Sequence, residues 1–189
     1  MQADVTFTVD GRTRTLRLDT RTTLLDALRE HVGITSPKKG CDHGQCGTCT
    51  VLVDGRRATT CLTLAVTADG ADIRTAEGLG SDGRLHPVQR AFLDHDALQC
   101  GYCTPGQVCS AAGALAEAAA DWPSAATADP ASAPGLADLS DEEIRERMSG
   151  NLCRCGAYTA ITAAVRDAAR EQGSNAETVR DAAAPKEGA

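Results

Sequence analysis

Apolar residues alternate at Val5, Phe7 and Val9, an Asp10-Gly11 pair follows, and Leu16 and Leu18 resume the alternation. Period-two spacing on either side of a turn dipeptide predicts a β-hairpin. Leu24, Leu25 and Leu28 then fall at helical spacing after Thr22, a candidate N-cap. A second hairpin is expected from Thr48 to Val53, through the Asp54-Gly55 turn and along Arg57 to Val66, with one more short strand around Ile73. From Pro87 the pattern turns helical. Thr104-Pro105-Gly106-Gln107 reads as a cap, a proline at the first helical position and a capping-box glutamine, opening a helix to about Ala120. Ser140-Asp141-Glu142-Glu143 reads as a second capping box, opening a short helix that stops at Gly150. Ile161, Ala164, Val165 and Ala168 share one face of a last helix. Strands around one helix, followed by helices alone, give the α+β class.

The 189 residues divide on this pattern into a sheet domain over 1–78, a helical domain over 79–171 and a polar tail over 172–189 expected to fray. Residues 121–138 are rich in Pro and Ala and read as a connecting loop. The formal net charge of −7 argues against non-specific nucleic-acid binding. No apolar run approaches the roughly 20 residues that cross a bilayer. The N-terminus lacks a basic start followed by an apolar stretch, so it does not read as an export signal. Aromatics make up only 3% of the chain, whereas cysteines number nine. Few large core residues and many thiols point to folding energy drawn from cross-links or metal, and an odd count without an export signal disfavours a full disulfide framework.

The first cysteine group, Cys41, Cys46, Cys49 and Cys61, is spaced C-x4-C-x2-C-x11-C, and its first three spacings are those of plant-type [2Fe–2S] proteins. Two ferric irons and two sulfides leave a core of about +2, which calls for four thiolates. Gly40, Gly44 and Gly47 allow a loop to wind tightly and aim its N–H groups at sulfur. Structural zinc favours paired C-x2-4-C knuckles, which this triplet does not match. The second group is Cys100, Cys103, Cys153 and Cys155. Its C-x2-C and C-x-C pairs could bind zinc when taken alone, but beside a plant-type loop a second [2Fe–2S] cluster is the better reading. Cys153 and Cys155 cannot share a helical face and need a turn, while Cys100 and Cys103 precede a helix whose N-terminal amides favour an anionic centre. Cys109 lies within the expected helix and outside both quartets, and reads as a buried thiol. Lys38, Lys39 and Arg154 stand beside these cysteines, either offsetting their charge or simply solvated.

Other motifs carry less. Gly78-Leu-Gly80-Ser-Asp-Gly83 matches a dinucleotide fingerprint literally, but no βαβ unit surrounds it, and it reads as a flexible joint. His43 falls in the first cysteine loop, where four thiols leave it no vacancy, and His86 before Pro87 marks a helix start. No catalytic set emerges: there is no Ser/His/Asp arrangement, carboxylate pair or phosphate loop.

GCDHGQCGTCTVLVDG, CLTLA, LQCGYCTPG and GNLCRCGAY, in that order, resemble the iron–sulfur small subunit of the molybdenum hydroxylases, the xanthine dehydrogenase and aldehyde oxidoreductase family, and within it the three-subunit bacterial aldehyde oxidoreductase branch. The likeness runs from about Val5 to Arg170, with 121–138 and the tail outside it. It implies a β-grasp ferredoxin-like domain followed by a four-helix-bundle domain, each with one [2Fe–2S] cluster. The Cys41 group would lie near a medium, FAD-binding subunit and the Cys100 group would face a large subunit carrying the molybdopterin-type molybdenum cofactor. Gln99 and Cys155 match residues that approach that cofactor's pterin. The chain would relay electrons from molybdenum to FAD while the partner hydroxylates substrate. It would be cytoplasmic, or periplasmic if a twin-arginine leader is missing from this chain. A free two-cluster ferredoxin and an all-cysteine zinc protein are the competing readings.

Overall fold

The computed structural model describes residues 1–131 and 135–174. Strands β1 (Gln2–Val9), β2 (Arg12–Asp19), β3 (Thr50–Val53), β4 (Arg56–Thr59) and β5 (Asp72–Arg74) form one mixed sheet in the order β2-β1-β5-β3-β4. Only the β1–β5 pair is parallel; the other three are antiparallel. The alternation on β1 puts Val5, Phe7 and Val9 on the face that covers Leu24, Ala27 and Leu28, and burying each such aliphatic or aromatic side chain contributes about 1.5–3 kcal/mol.

That first helix is capped one residue later than its sequence suggests. Thr23, not Thr22, accepts from the Asp26 N–H at 3.1 Å, because the Thr22 carbonyl is taken by Ala65. Helix α1 (Leu24–Asp26) makes a single α turn and continues as a π turn over Ala27–Val32. The second hairpin is also shorter than expected. β3 starts at Thr50, just after Cys49, and β4 ends at Thr59, before Cys61. Leu62 N–H bonds back to the Thr59 carbonyl, and the chain leaves the ladder for a turn and a 3-10 segment over Ala65–Ala68.

Helices α2 (Pro87–Asp94), α3 (Thr104–Ala119), α4 (Asp141–Arg147) and α5 (Tyr158–Ser174) follow and enclose a second core around Phe92, Leu115, Ile144 and Val165. Ile161, Ala164, Val165 and Ala168 are all buried there. His86 caps α2, its Nδ1 accepting from Val88 N–H while Gln89 closes the capping box. The expected cap at Thr104 does not form: Cys103 occupies the N-cap position, and Gln107 turns away to donate to the Asn151 carbonyl. At α4, Ser140 does cap Glu143 N–H, but the Glu143 carboxylate goes elsewhere and the helix stops at Arg147, ahead of Gly150. Helix α5 continues through 172–174, beyond the expected start of the tail, and the rest of that tail lies outside the described residues.

Two stretches read as loops are fastened down. Ser81 and Arg84 exchange backbone bonds of 3.1 and 2.8 Å, closing the supposed joint into a turn. In the Pro/Ala-rich stretch, Ser124 and Thr127 donate to the Glu143 carboxylate, Arg147 donates to the Trp122 carbonyl at 2.7 Å, and Leu136 is buried in the helical core. Burial works to raise the Glu143 carboxyl, but these hydroxyls and the Arg147 charge outweigh it and hold the group below its ordinary value of 4.5.

The two halves meet along α3 and the β3–β4 hairpin. Arg57 on β4 reaches Glu117 on α3 through two hydrogen bonds of 2.8 and 2.6 Å and also donates to the Arg147 carbonyl at 2.6 Å. A fork-on-fork guanidinium–carboxylate pair fixes orientation as well as charge. Leu52 of β3 is packed into the helical core.

Candidate iron–sulfur sites

The first four cysteines come together from the loop ahead of β3 and the turn after β4. Cys41 stands beside Cys46, and Cys61 stands beside Cys49 with Cys41 also facing it. The short hairpin does this: Thr60 Oγ1 donates to the Cys49 carbonyl at 2.8 Å, holding the turn after β4 against the end of the loop. Cys49 and Cys61 are buried against Leu25, whereas Cys41 and Cys46 are partly exposed. Two glycines make the winding possible. Gly44 has φ +79° and a Cβ there would meet Leu62 at 2.4 Å; Gly47 has φ +67° and a Cβ there would meet the Gly150 carbonyl at 2.3 Å.

Amides converge on the sulfurs. Cys41 Sγ accepts from the backbone N–H of His43, and from Gln45 at 3.2 Å and Cys46 at 3.4 Å. These donors, His43 first, draw its thiol down to about 6. Burial pushes Cys61 up to about 11. His43 itself is exposed and its Nδ1 meets the Cys41 carbonyl at 2.5 Å. Lys39 pairs with Asp26 at 2.6 Å and lies 3.8 Å from Asp42, so its charge is already engaged.

The second four come from the α2–α3 connection and from the turn between α4 and α5. Cys103 stands beside Cys153, and Cys100 beside Cys155 with Cys153 also near. Burial raises Cys103 to about 12, while the Tyr102 N–H lowers Cys100. Burial opposes ionisation of Cys153, but the N–H groups of Ala157, Gly156 and Cys155 outweigh it and lower that thiol. Tyr158 Oη accepts from the Cys153 N–H at 2.8 Å, fixing the turn to the first residue of α5. Cys100 and the adjacent Gln99 are exposed, and Cys155 is partly so. Cys109 is apart from both sets, buried in α3, and its thiol is pushed up to about 12 by burial.

Among the described residues, no group of three or more His, Cys, Asp or Glu side chains is placed to hold one metal ion. The thiols stand in pairs instead, and all nine cysteines are free of disulfides. Pairing suits a two-iron core, in which each iron takes two protein ligands. The donor set also fits in charge: each set contains a thiol whose pKa is lowered by N–H groups, as a site for an anionic sulfur centre requires. Sequence reasoning missed Asn151, Gln107, Tyr102 and Tyr158, although the first and last two of these lie inside the cysteine motifs themselves. Polar side chains between ligands were the available signal.

Pairs of thiols ringed by amides, twice in one chain, define a protein with two [2Fe–2S]-binding domains. Residues 7–73 match the 2Fe-2S iron-sulfur cluster binding domain, and residues 75–166 match the [2Fe-2S] binding domain. The aldehyde oxidoreductase iron-sulfur-binding subunit PaoA of Escherichia coli K12 is 59% identical over 167 residues, 88% of this chain and 72% of that one. The nicotine 6-hydroxylase small subunit of Paenarthrobacter nicotinovorans is 44% identical over 173 residues, 92% of this chain and 93% of that one. Among solved structures, quinoline 2-oxidoreductase from Pseudomonas putida 86 superposes with a TM-score of 0.77 at 41% identity, covering 93% of this chain and 98% of that chain. The chain belongs to the iron–sulfur small subunits of the molybdenum hydroxylases, oxidoreductases in which catalysis lies on a partner subunit.

Proposed function

We propose that this chain is the electron-relay subunit of a molybdenum-dependent hydroxylase of the aldehyde oxidoreductase type, carrying electrons from the molybdenum cofactor on a large subunit through two [2Fe–2S] clusters to FAD on a medium subunit. The observation that carries this reading is the convergence of eight cysteines as thiol pairs at two places in one frame. Cys41, Cys46, Cys49 and Cys61 hold one cluster in a β-grasp domain over 1–78; Cys100, Cys103, Cys153 and Cys155 hold the other in a four-helix bundle over 79–171. When bound, the clusters supply reversible one-electron chemistry. The protein's part is to present thiolates, to direct N–H groups at sulfur, and to tune each centre through burial and hydrogen bonding. Binding must release the protons of the reluctant thiols, Cys61 and Cys103, so cluster assembly is favoured by rising pH.

Gln99 and Cys155 would face the pterin of the molybdenum cofactor on the partner subunit, Gln99 being exposed and Cys155 partly so. The compartment we propose is the cytoplasm, with the periplasm as the alternative if a twin-arginine leader is missing from this chain. Among the described residues, no helix is long and apolar enough to cross a membrane. Co-expression with both candidate partners tests the assignment. Iron, molybdenum and flavin are expected in one chromatographic peak. A soluble monomer holding both clusters, with the other subunits eluting elsewhere, would overturn it in favour of a free carrier.

A further inference from the structure

The two sulfur sets sit in different cores, yet their loops are bonded directly to each other. Leu152, next to Cys153, donates its backbone N–H to the Cys46 carbonyl at 2.9 Å. Asn151 donates Nδ2 to the Gly47 carbonyl at 2.9 Å, and its own carbonyl accepts from Gln107 Nε2 at 3.1 Å. From a separate segment, Tyr102, lying between Cys100 and Cys103, donates its hydroxyl to the Lys39 carbonyl at 2.8 Å, two residues ahead of Cys41. Asn151 is 5% exposed and Gln107 1%. Buried amides of this kind hold their geometry, since leaving either unpaired carries the full desolvation penalty. The orientation of Asn151 follows from its neighbour: only the NH2 end can face a carbonyl oxygen.

The Gly47 carbonyl does not depend on Asn151 for satisfaction. It already accepts from Thr50 N–H at 3.1 Å and Thr50 Oγ1 at 2.7 Å within its own loop. The Asn151 bond therefore adds placement of one loop against the other, not rescue of an orphaned group. Separate domains of one chain move relative to each other unless something fixes their interface. Here Arg57, Glu117 and Leu52 join the halves away from the sulfurs, and a second group of bonds falls on the ligand loops themselves.

We propose that Asn151 and Tyr102 are positioning residues that set the separation and orientation of the two [2Fe–2S] clusters by tying the loop of one sulfur set to the loop of the other. The proposal rests on the cluster assignment made above. Electron exchange between two centres falls steeply as they separate, so a frame that holds both loops rigidly sustains the relay. The Tyr102 backbone N–H is directed at Cys100, but the side chains of Tyr102 and Asn151 both act through the backbone of the loop that carries the opposite set.

The test uses the full chain, reconstituted anaerobically with ferric iron and sulfide, one portion reduced fully with dithionite for the splitting and another reduced by one electron per chain for the exchange. Its readouts are iron content, the electron paramagnetic resonance splitting between the two reduced centres, and the rate at which they exchange an electron. Asn151→Asp sets an acceptor oxygen against the Gly47 carbonyl, and Asn151→Ala removes the bond. Both are expected to keep the iron of both sites while the splitting shrinks and the exchange rate falls. Tyr102→Phe keeps the ring at an exposed position and loses only the hydroxyl; a smaller loss in the same direction is expected, and the double variant should exceed either. Full iron with unchanged splitting and exchange in the double variant overturns the proposal and leaves the electron-relay reading intact. Should neither Asn151 variant load iron, Tyr102→Phe decides alone, and unaltered coupling there overturns it. A wild-type chain that takes up iron at one site only instead overturns the cluster assignment itself.

Discussion

The first sulfur set is gathered by one wound loop and its hairpin neighbour, whereas the second is assembled from two segments with 49 residues between them. The loop carries its own amides: His43, Gln45 and Cys46 all point N–H groups at Cys41. The second set draws its donors from a turn held by Tyr158 and by the packing of α4 and α5. Local geometry maintains the first, and the helical core maintains the second. Perturbing that core should therefore strike the second site first.

The largest effect belongs to a ligand. Cys153→Ser should remove the iron of the second site, half of the total, and leave the spectrum of the first intact; unchanged iron content would refute the ligand assignment. The next tests the dependence on the core. Glu143 and Arg147 form an ion pair at 3.2 Å with side chains 6% and 4% exposed. Glu143→Ala strands a buried guanidinium and should cost about 3–5 kcal/mol, read by denaturant unfolding. On heating, the second site's absorption should bleach before the first. The same carboxyl gives a pH signature. Its folded pKa is depressed, so its stabilisation is complete above about pH 4.5 and is lost as pH falls through the depressed value. Acid should accordingly weaken the helical half as this carboxyl protonates.

Gly47→Ala addresses the seam between the two sites, since its Cβ would press on the Gly150 carbonyl at 2.3 Å from a backbone at φ +67°. A loss of about 1–3 kcal/mol is expected, with both spectra disturbed together. The smallest test lies outside the comparison: Cys109→Ser should leave iron stoichiometry unchanged, and loss of either centre would mean that the ninth thiol has been misplaced.

The sheet half was legible because its signals are short-range. The alternation at Val5, Phe7 and Val9 and the Asp-Gly turns mark strands whose partners are next in sequence. The cysteine spacing carried the first sulfur set for the same reason. What escaped were places where a tertiary bond outbid a local one. Thr104 and Gln107 have the composition of a capping box, but Gln107 is drawn to Asn151 across 44 residues. Glu143 has the position of a capping-box partner, but a buried arginine and two hydroxyls claim it. The Pro/Ala-rich stretch looked like a linker because nothing in its own composition reveals that Ser124 and Thr127 have that carboxylate to bind. The seam at Asn151 and Tyr102 was hidden in plain view, since two conspicuous cysteine motifs drew attention to their sulfurs and away from the polar residues between them.

The central claim is that eight of the nine thiols form two separate homes for two-iron clusters. Full reduction of the anaerobically purified chain, followed by quantitation of iron and paramagnetic resonance, tests it most directly. The account predicts about four irons per chain and two distinguishable signals of equal weight. About two irons with one signal, or zinc in place of iron, would contradict it.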